Sequence, residues 1–320
     1  MRCTRSPACA SLGMENHSSG LGDRWRYLAQ TMTKKHHFMM ASGDATIQHL
    51  FDRTVTYVDT SDLPFDQSER WSPSSGTLVS IGDRLFIATV SHSLDNFESP
   101  TRYKLMTPDG KNHEASAEVV VRTFATDHDR PDVGLLELDR SIFNEISTNI
   151  PIEISRISIE SPEEKLASLL GTPYSTVTFS QNDSGEWGIS ATVSGFTTAA
   201  IAMEDWPRIN LETPFDPAIE MVINYPAESP DIRDETGNHT KLEIPKGISG
   251  GGLWTHGHAE SETLWTPDKC KLVGVQASWI PRKGFVRLPR ICHWLLLVRE
   301  NYPDLHEIID EHFPMLTSAR

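Results

Sequence analysis

From about Thr46 onward, turn signals interrupt this sequence too often to leave room for long helices. Thr77–Ile81 and Arg84–Val90 are β-rich runs joined by Gly82-Asp83, a two-residue pair of the kind that closes a hairpin. Lys104–Thr107 and Ala117–Arg122 flank Pro108-Asp109-Gly110-Lys111, a second turn signal. Val133–Leu138 reads as a buried strand, and Val177–Ser180, Ile189–Phe196, Glu220–Asn224 and Leu272–Ala277 follow between loops rich in Pro, Gly and Asp. Many short strands with few helices between them cannot build βαβ units. They must bury themselves in an all-β sandwich or barrel. Helical periodicity comes mainly at the end. Ile291, Trp294, Leu295 and Val298 form one apolar stripe, and Leu305, Ile308, Ile309 and His312 repeat that spacing after Pro303.

With 320 residues the chain has material for one large domain or two small ones, and 38% hydrophobic residues exclude disorder. Residues 1–45 read as an N-terminal extension, with a short helix near Trp25–Met32, and residues 46–313 as the folded domain. There is no internal repeat. The formal charge of −15 repels nucleic-acid backbones and anionic membranes, so neither is expected as a partner. No run approaches the roughly 18 apolar residues of a membrane span, and no apolar stretch follows the basic N-terminus as in a signal peptide. Cys3, Cys9, Cys270 and Cys292 are too few and too scattered for a disulfide scaffold. The expectation is reduced thiols in the cytoplasm, with a Cys270–Cys292 bridge left open.

The densest motif is Pro245-Lys246-Gly247-Ile248-Ser249-Gly250-Gly251-Gly252. A nucleophilic Ser needs a tight turn that exposes Oγ and aims neighbouring backbone N–H groups at one point, and glycines permit such a backbone. A Gly-rich hairpin loop with an ordinary Ser would read the same way. A nucleophile also needs a base, and the base an orienting group. His92 closes the run Leu85-Phe86-Ile87-Ala88-Thr89-Val90-Ser91-His92, where a buried strand delivers the imidazole at its end. Asp132 opens Asp132-Val133-Gly134-Leu135-Leu136, at the mouth of an apolar strand, as either a capped loop residue or a buried acceptor for an imidazole N–H.

Together these pieces resemble the chymotrypsin/trypsin-like serine peptidase family, in particular its bacterial trypsin-like domains. Thr89-Val90-Ser91-His92-Ser93 is similar to that family's Thr-Ala-Ala-His motif, Asp132-Val133-Gly134-Leu135-Leu136 to its Asp-hydrophobic-Ala-Leu-Leu motif, and Gly247-Ile248-Ser249-Gly250-Gly251 to its Gly-Asp-Ser-Gly-Gly. The order His, Asp, Ser is also the family's. The resemblance covers about Ser72 to Val298 and is faint between Ile142 and Lys241. It implies a double six-stranded β-barrel, the first barrel over about 46–150 and the second over about 151–287, closed by C-terminal helices at 288–313. It implies a serine endopeptidase, acting on protein or peptide substrates without metal or organic cofactor. His92, Asp132 and Ser249 would form the triad, and the N–H groups of Gly247 and Ser249 the oxyanion hole. Glu243, six positions before the nucleophile, would floor the pocket for the side chain preceding the cut, with Ala277 and Ser278 beside it and the Trp279 indole near its mouth.

The departures are informative. Ser93 stands where secreted animal members often carry Cys. Ile248 stands where zymogen-forming members carry the Asp that receives a freed N-terminal ammonium, so activation by that ion pair is excluded. Ser158–Lys241 is longer than a minimal second barrel needs. Three rival readings exist. Gly247-Ile248-Ser249-Gly250-Gly251 also fits the nucleophile elbow of α/β-hydrolases, which demands a strand before and a helix after it. His256-Gly257-His258 with Cys270 could be sought as a metal site but lacks further ligands at convincing spacing, so a solvated loop pair is expected. The third rival is a catalytically silent protease fold serving as a binding module.

Overall fold

The computed structural model describes residues 43–59, 71–95, 97, 101–107, 111–122, 131–139, 141–142, 151–162, 166–200, 215–225, 242, 244–257, 266–281 and 284–316. The expected helix at Trp25–Met32 lies outside the described residues. The first barrel is built from β1 (Thr54–Asp59), β2 (Ser74–Ile81), β3 (Arg84–Thr89), β4 (Thr101–Met106), β5 (Asn112–Arg122) and β6 (Val133–Leu138). Its strands follow the order β1-β4-β5-β6-β3-β2, and β2 pairs back onto β1 to close the ring. β7 (Ile152–Glu153) adds a short parallel edge to β2.

The second ring uses β8 (Leu166–Gly171), β11 (Ser194–Ala199), β12 (Glu220–Asn224), β13 (Gly252–Thr255), β14 (Lys271–Val275) and β16 (Phe285–Pro289), with β15 (Ser278–Ile280) continuing β14 along the edge of β16 opposite β12. One sheet runs β11-β8-β13-β14 and another pairs β12 with β16. Two single bridges, Ala200 to Ile223 and Gly274 to Arg290, join their ends. Taken in chain order, both sets of six strands follow the same cyclic sequence, first-second-third-sixth-fifth-fourth. The double six-stranded barrel expected from the sequence is therefore present.

Near-continuous apolar runs such as Leu85–Ala88 are explained by strand alternation. Leu85 and Ile87 point into the first barrel with Leu78, Leu136 and Leu138, while Phe86 and Ala88 point outward with Val79, Val133 and Leu135. That outer face is covered by the helix Ile291–Asn301, whose Ile291, Trp294, Leu295 and Val298 are buried. Phe86 meets Trp294 and Tyr302 edge-on at 6.2 and 5.1 Å between ring centres. Large side chains buried in this way contribute about 1.5–3 kcal/mol each. Pro303 opens a 3₁₀ turn, Pro303–Leu305, that leads into the helix His306–His312. Leu305 and Ile309 are buried, whereas His312 is exposed, so it ends the stripe rather than extending it.

Two further features differ from the sequence reading. Residues 43–50 are helical and lead into β1, with Thr46 and Leu50 fully buried. The expected strand Ile189–Phe196 is two strands. Ile189 belongs to β10 (Trp187–Ser190), which forms a hairpin with β9 (Thr178–Gln181), while Phe196 belongs to β11. Between the two strands Thr176 Oγ1 donates to the Thr192 carbonyl (2.9 Å) and accepts from its N–H (3.3 Å), while Asn112 of the first barrel donates to the Ile189 carbonyl (3.0 Å) and accepts from its N–H (2.8 Å). Trp187 packs on Trp71 at 4.0 Å between ring centres and lies under the Lys104 ammonium at 4.1 Å. Part of the excess length after Ser158 is thus a hairpin that leaves the second barrel and is clamped to the first.

Candidate active site

β3 ends at Thr89, and the chain turns into a 3₁₀ segment, Ser91–Leu94, whose Ser91 and Leu94 are buried. Those two anchors leave His92 projecting, with 44% of its side chain exposed. Thr89 pairs with Gly134 on antiparallel β6. Continuing that register by two residues sets Asp132 opposite Ser91, next to the imidazole. The Asp132 carboxylate accepts twice from His92: from Nδ1–H at Oδ2 (2.6 Å) and from the backbone N–H at Oδ1 (3.1 Å). An ionised carboxylate is acceptor-only, so in the neutral imidazole the proton sits on Nδ1 and Nε2 carries the basic lone pair. Burial pulls the His92 pKa down, but the hydrogen bond and charge of Asp132, with the charge of Asp95, outweigh it, and the pKa stands above its ordinary value.

Ser249 sits in a loop in which the carbonyls from Lys246 to Ser249 are all held. Tyr174 N–H binds the Lys246 carbonyl (2.6 Å), Ser75 Oγ–H binds Gly247 (3.0 Å), Gly251 N–H binds Ile248 (2.6 Å) and Ser75 N–H binds Ser249 (2.9 Å). Ile248 N–H donates to Pro245 and Gly250 N–H to Gln276. From Gly247 to Gly251, only the N–H groups of Gly247 and Ser249 lack an acceptor among the described residues. Glycine is required at two positions here. Gly250 has φ +85°, and a Cβ on it would lie 2.1 Å from both the Ser75 carbonyl and Thr89 Oγ1. Gly247 has φ +93°, and its Cβ would lie 2.7 Å from Tyr174 N. The loop is therefore pressed against the ends of β2 and β3, three residues from His92. Among the described residues no hydrogen bond joins Ser249 Oγ to His92 Nε2.

Glu243 lies outside the described residues. Ala277 is half-buried, its N–H bound to the Arg287 carbonyl (3.0 Å), and exposed Ser278 opens β15. Trp279 packs onto the second-barrel core. Arg287 is itself braced by buried Glu220, Nε to Oε2 at 2.7 Å. The rival sites are reordered by the fold. The Ser249 loop leads into strand β13, where an α/β-hydrolase elbow would lead into a helix. His256 is not solvated: it is fully buried, with Nε2 on Ser168 Oγ (2.8 Å), because it directly follows β13 and its N–H is still bound to the Leu166 carbonyl of the barrel wall (3.0 Å); His258 lies outside the described residues. Among the described residues no group of three or more His, Cys, Asp or Glu side chains is gathered for a metal. Cys270 and Cys292 are both free thiols, so the bridge left open above is not formed. No helix among the described residues is long and apolar enough to cross a membrane.

The sequence reading missed Ser75 and the backbone of Tyr174. Both touch the loop through hydrogen bonds that carry no local pattern.

No protein-family model matches the chain, and no curated protein does. Solved structures similar to it include a serine endoprotease from Yersinia pestis, at 16% identity and TM-score 0.46 over 81% of this chain and 67% of that one. Another is an inactivated protease paralogue of the scabies mite, at 10% identity and TM-score 0.48 over 80% and 96%. A third is the protease Anisep from Arthrobacter nicotinovorans, at 11% identity and TM-score 0.42 over 75% and 90%. The assignment of the double barrel rests on the strand order described above.

Proposed function

We propose that this chain is a serine endopeptidase working through His92, Asp132 and Ser249. The observation that carries the reading is the His92–Asp132 pair: two hydrogen bonds fix the ring so that Nε2 is the base, beside a loop that presents a serine. In this mechanism His92 Nε2 takes the Ser249 proton as Oγ attacks the scissile carbonyl, and Asp132 stabilises the imidazolium that forms. The two uncommitted N–H groups of Gly247 and Ser249 receive the oxyanion, each worth roughly 3 kcal/mol in sites of this kind. His92 then returns the proton to the leaving amine, and water hydrolyses the acyl-enzyme by the same route. The substrate class is a protein or peptide. The free thiols Cys270 and Cys292 support a reducing, cytoplasmic setting, and Ser93 and Ile248 are changes that fit a bacterial member of the family.

The second reading, a silent protease fold that only binds peptides, is favoured by one observation, the missing Ser249–His92 hydrogen bond. A tagged fluorophosphonate separates the two. Covalent labelling of the wild type that is lost in Ser249→Ala supports the peptidase. Equal labelling of both, or none of either, leaves the binding module.

A further inference from the structure

We infer that Ser75 is a positioning residue for the oxyanion-binding loop, acting across the boundary between the two barrels; the inference rests on the peptidase reading above. Ser75 lies in β2 of the first barrel, is fully buried, and spends its N–H and its hydroxyl on this junction. Its N–H holds the Ser249 carbonyl (2.9 Å), and its hydroxyl donates to the Gly247 carbonyl (3.0 Å). The same hydroxyl accepts from Thr172 N–H (2.8 Å), and the Ser75 carbonyl accepts from Thr89 Oγ1 (3.0 Å). A hydroxyl has a single proton to donate, and here it goes to the loop.

Peptide geometry turns these bonds into aim. In a planar trans peptide the C=O and N–H point in opposite directions, so fixing the carbonyl fixes the N–H. Tyr174 N–H holds the Lys246 carbonyl and thereby turns Gly247 N–H outward. Ser75 holds the peptide carbonyls of Gly247 and Ser249, which lie on either side of the peptide bearing Ser249 N–H. That peptide is pinned from both flanks, and its own carbonyl is taken by Gly251 N–H (2.6 Å). Ile248 offers no charge to an ion pair that could order the loop, and the clamp from the first barrel supplies the order instead. The fit is close. A Cβ on Gly171 would lie 3.1 Å from Ser75 Oγ, and the missing Cβ of Gly250 is what admits the Ser75 carbonyl.

The test is the kinetics of fluorophosphonate labelling in the full chain. Ser75→Ala should unfold as cooperatively as wild type and keep the half-saturating probe concentration. Its saturated labelling rate should fall about tenfold, a change of about 1.4 kcal/mol, less than deleting an oxyanion donor outright. The pH midpoint set by His92 should not move, because Ser75 touches neither His92 nor Asp132. Ser75→Cys, similar in size with a weak S–H donor, should give an intermediate rate, and it carries the comparison if Ser75→Ala does not fold. Wild-type rates in the folded variants would overturn the positioning role while leaving the peptidase standing. A wild type that takes no label would overturn the peptidase reading and this inference with it.

Discussion

Replacing Asp132 by Asn changes one atom in the site and reverses the direction of one hydrogen bond. Asp132 Oδ2 accepts from His92 Nδ1 at 2.6 Å, while Oδ1 accepts from the His92 backbone N–H at 3.1 Å. In Asp132→Asn the amide oxygen can keep the backbone bond, and the NH₂ then faces Nδ1 and donates to it. The imidazole must carry its proton on Nε2, the atom that should receive the Ser249 proton. A fold decrease in kcat of roughly 10³–10⁴ is expected, the scale of a wrong tautomer in a serine triad. The pH behaviour carries a second signature. Burial lowers the His92 pKa and Asp132 raises it, with a net upward shift, so the acid limb of kcat/KM should lie above the reference value of about 6.5. Removing the carboxylate leaves burial unopposed by its charge, and the limb should move to lower pH. Stability follows the same linkage. A raised histidine pKa adds stability that is full below about pH 6.5 and is lost as pH rises through the folded-state pKa. The Tm gap between wild type and Asp132→Asn should therefore be larger at pH 5.5 than at pH 8.5. Peptide hydrolysis and thermal unfolding across that range test both effects. Near-wild-type turnover with an unmoved acid limb would remove Asp132 from the mechanism.

Gly250→Ala places a methyl group 2.1 Å from a backbone carbonyl at a positive φ, a combination costing about 2–5 kcal/mol, read as a Tm drop of roughly 6–15 °C together with loss of labelling. An unchanged Tm would contradict the loop packing. With Cys270 and Cys292 free and Ile248 in place of an acid, the full-length chain should be active without N-terminal trimming and indifferent to dithiothreitol. Activity that appears only after proteolytic trimming would refute this. If Glu243 floors the pocket for the residue before the cut, a fluorogenic peptide panel should favour Arg and Lys through charge-assisted hydrogen bonds, and Glu243→Gln should erase the preference. Better cleavage after Leu, Val or Ala, untouched by Glu243→Gln, would sink that assignment.

What could be read from sequence alone was set by neighbours in the chain. Gly82-Asp83 closes its hairpin, the Leu85–Ala88 run is apolar because both of its faces are buried, and the stripe from Ile291 to Val298 makes a helix; each is decided by backbone sterics and side-chain period within a few residues. His92 and Asp132 were legible for the same reason, since each stands at the end of a strand whose position is locally determined. The tertiary structure decided whatever depends on contacts distant in sequence. Closure of the second ring depends on pairings between remote strands, and Asn112 reaches Ile189 of the β9–β10 hairpin from the other barrel. His256 looks like a loop residue until the barrel wall buries it against Ser168. Ser75 is an ordinary strand serine by pattern, and its link to Gly247, 172 residues away, appears only when the two barrels meet. Hydrogen bonds are directional and short, so which distant groups pair is set by how the packed barrels place them.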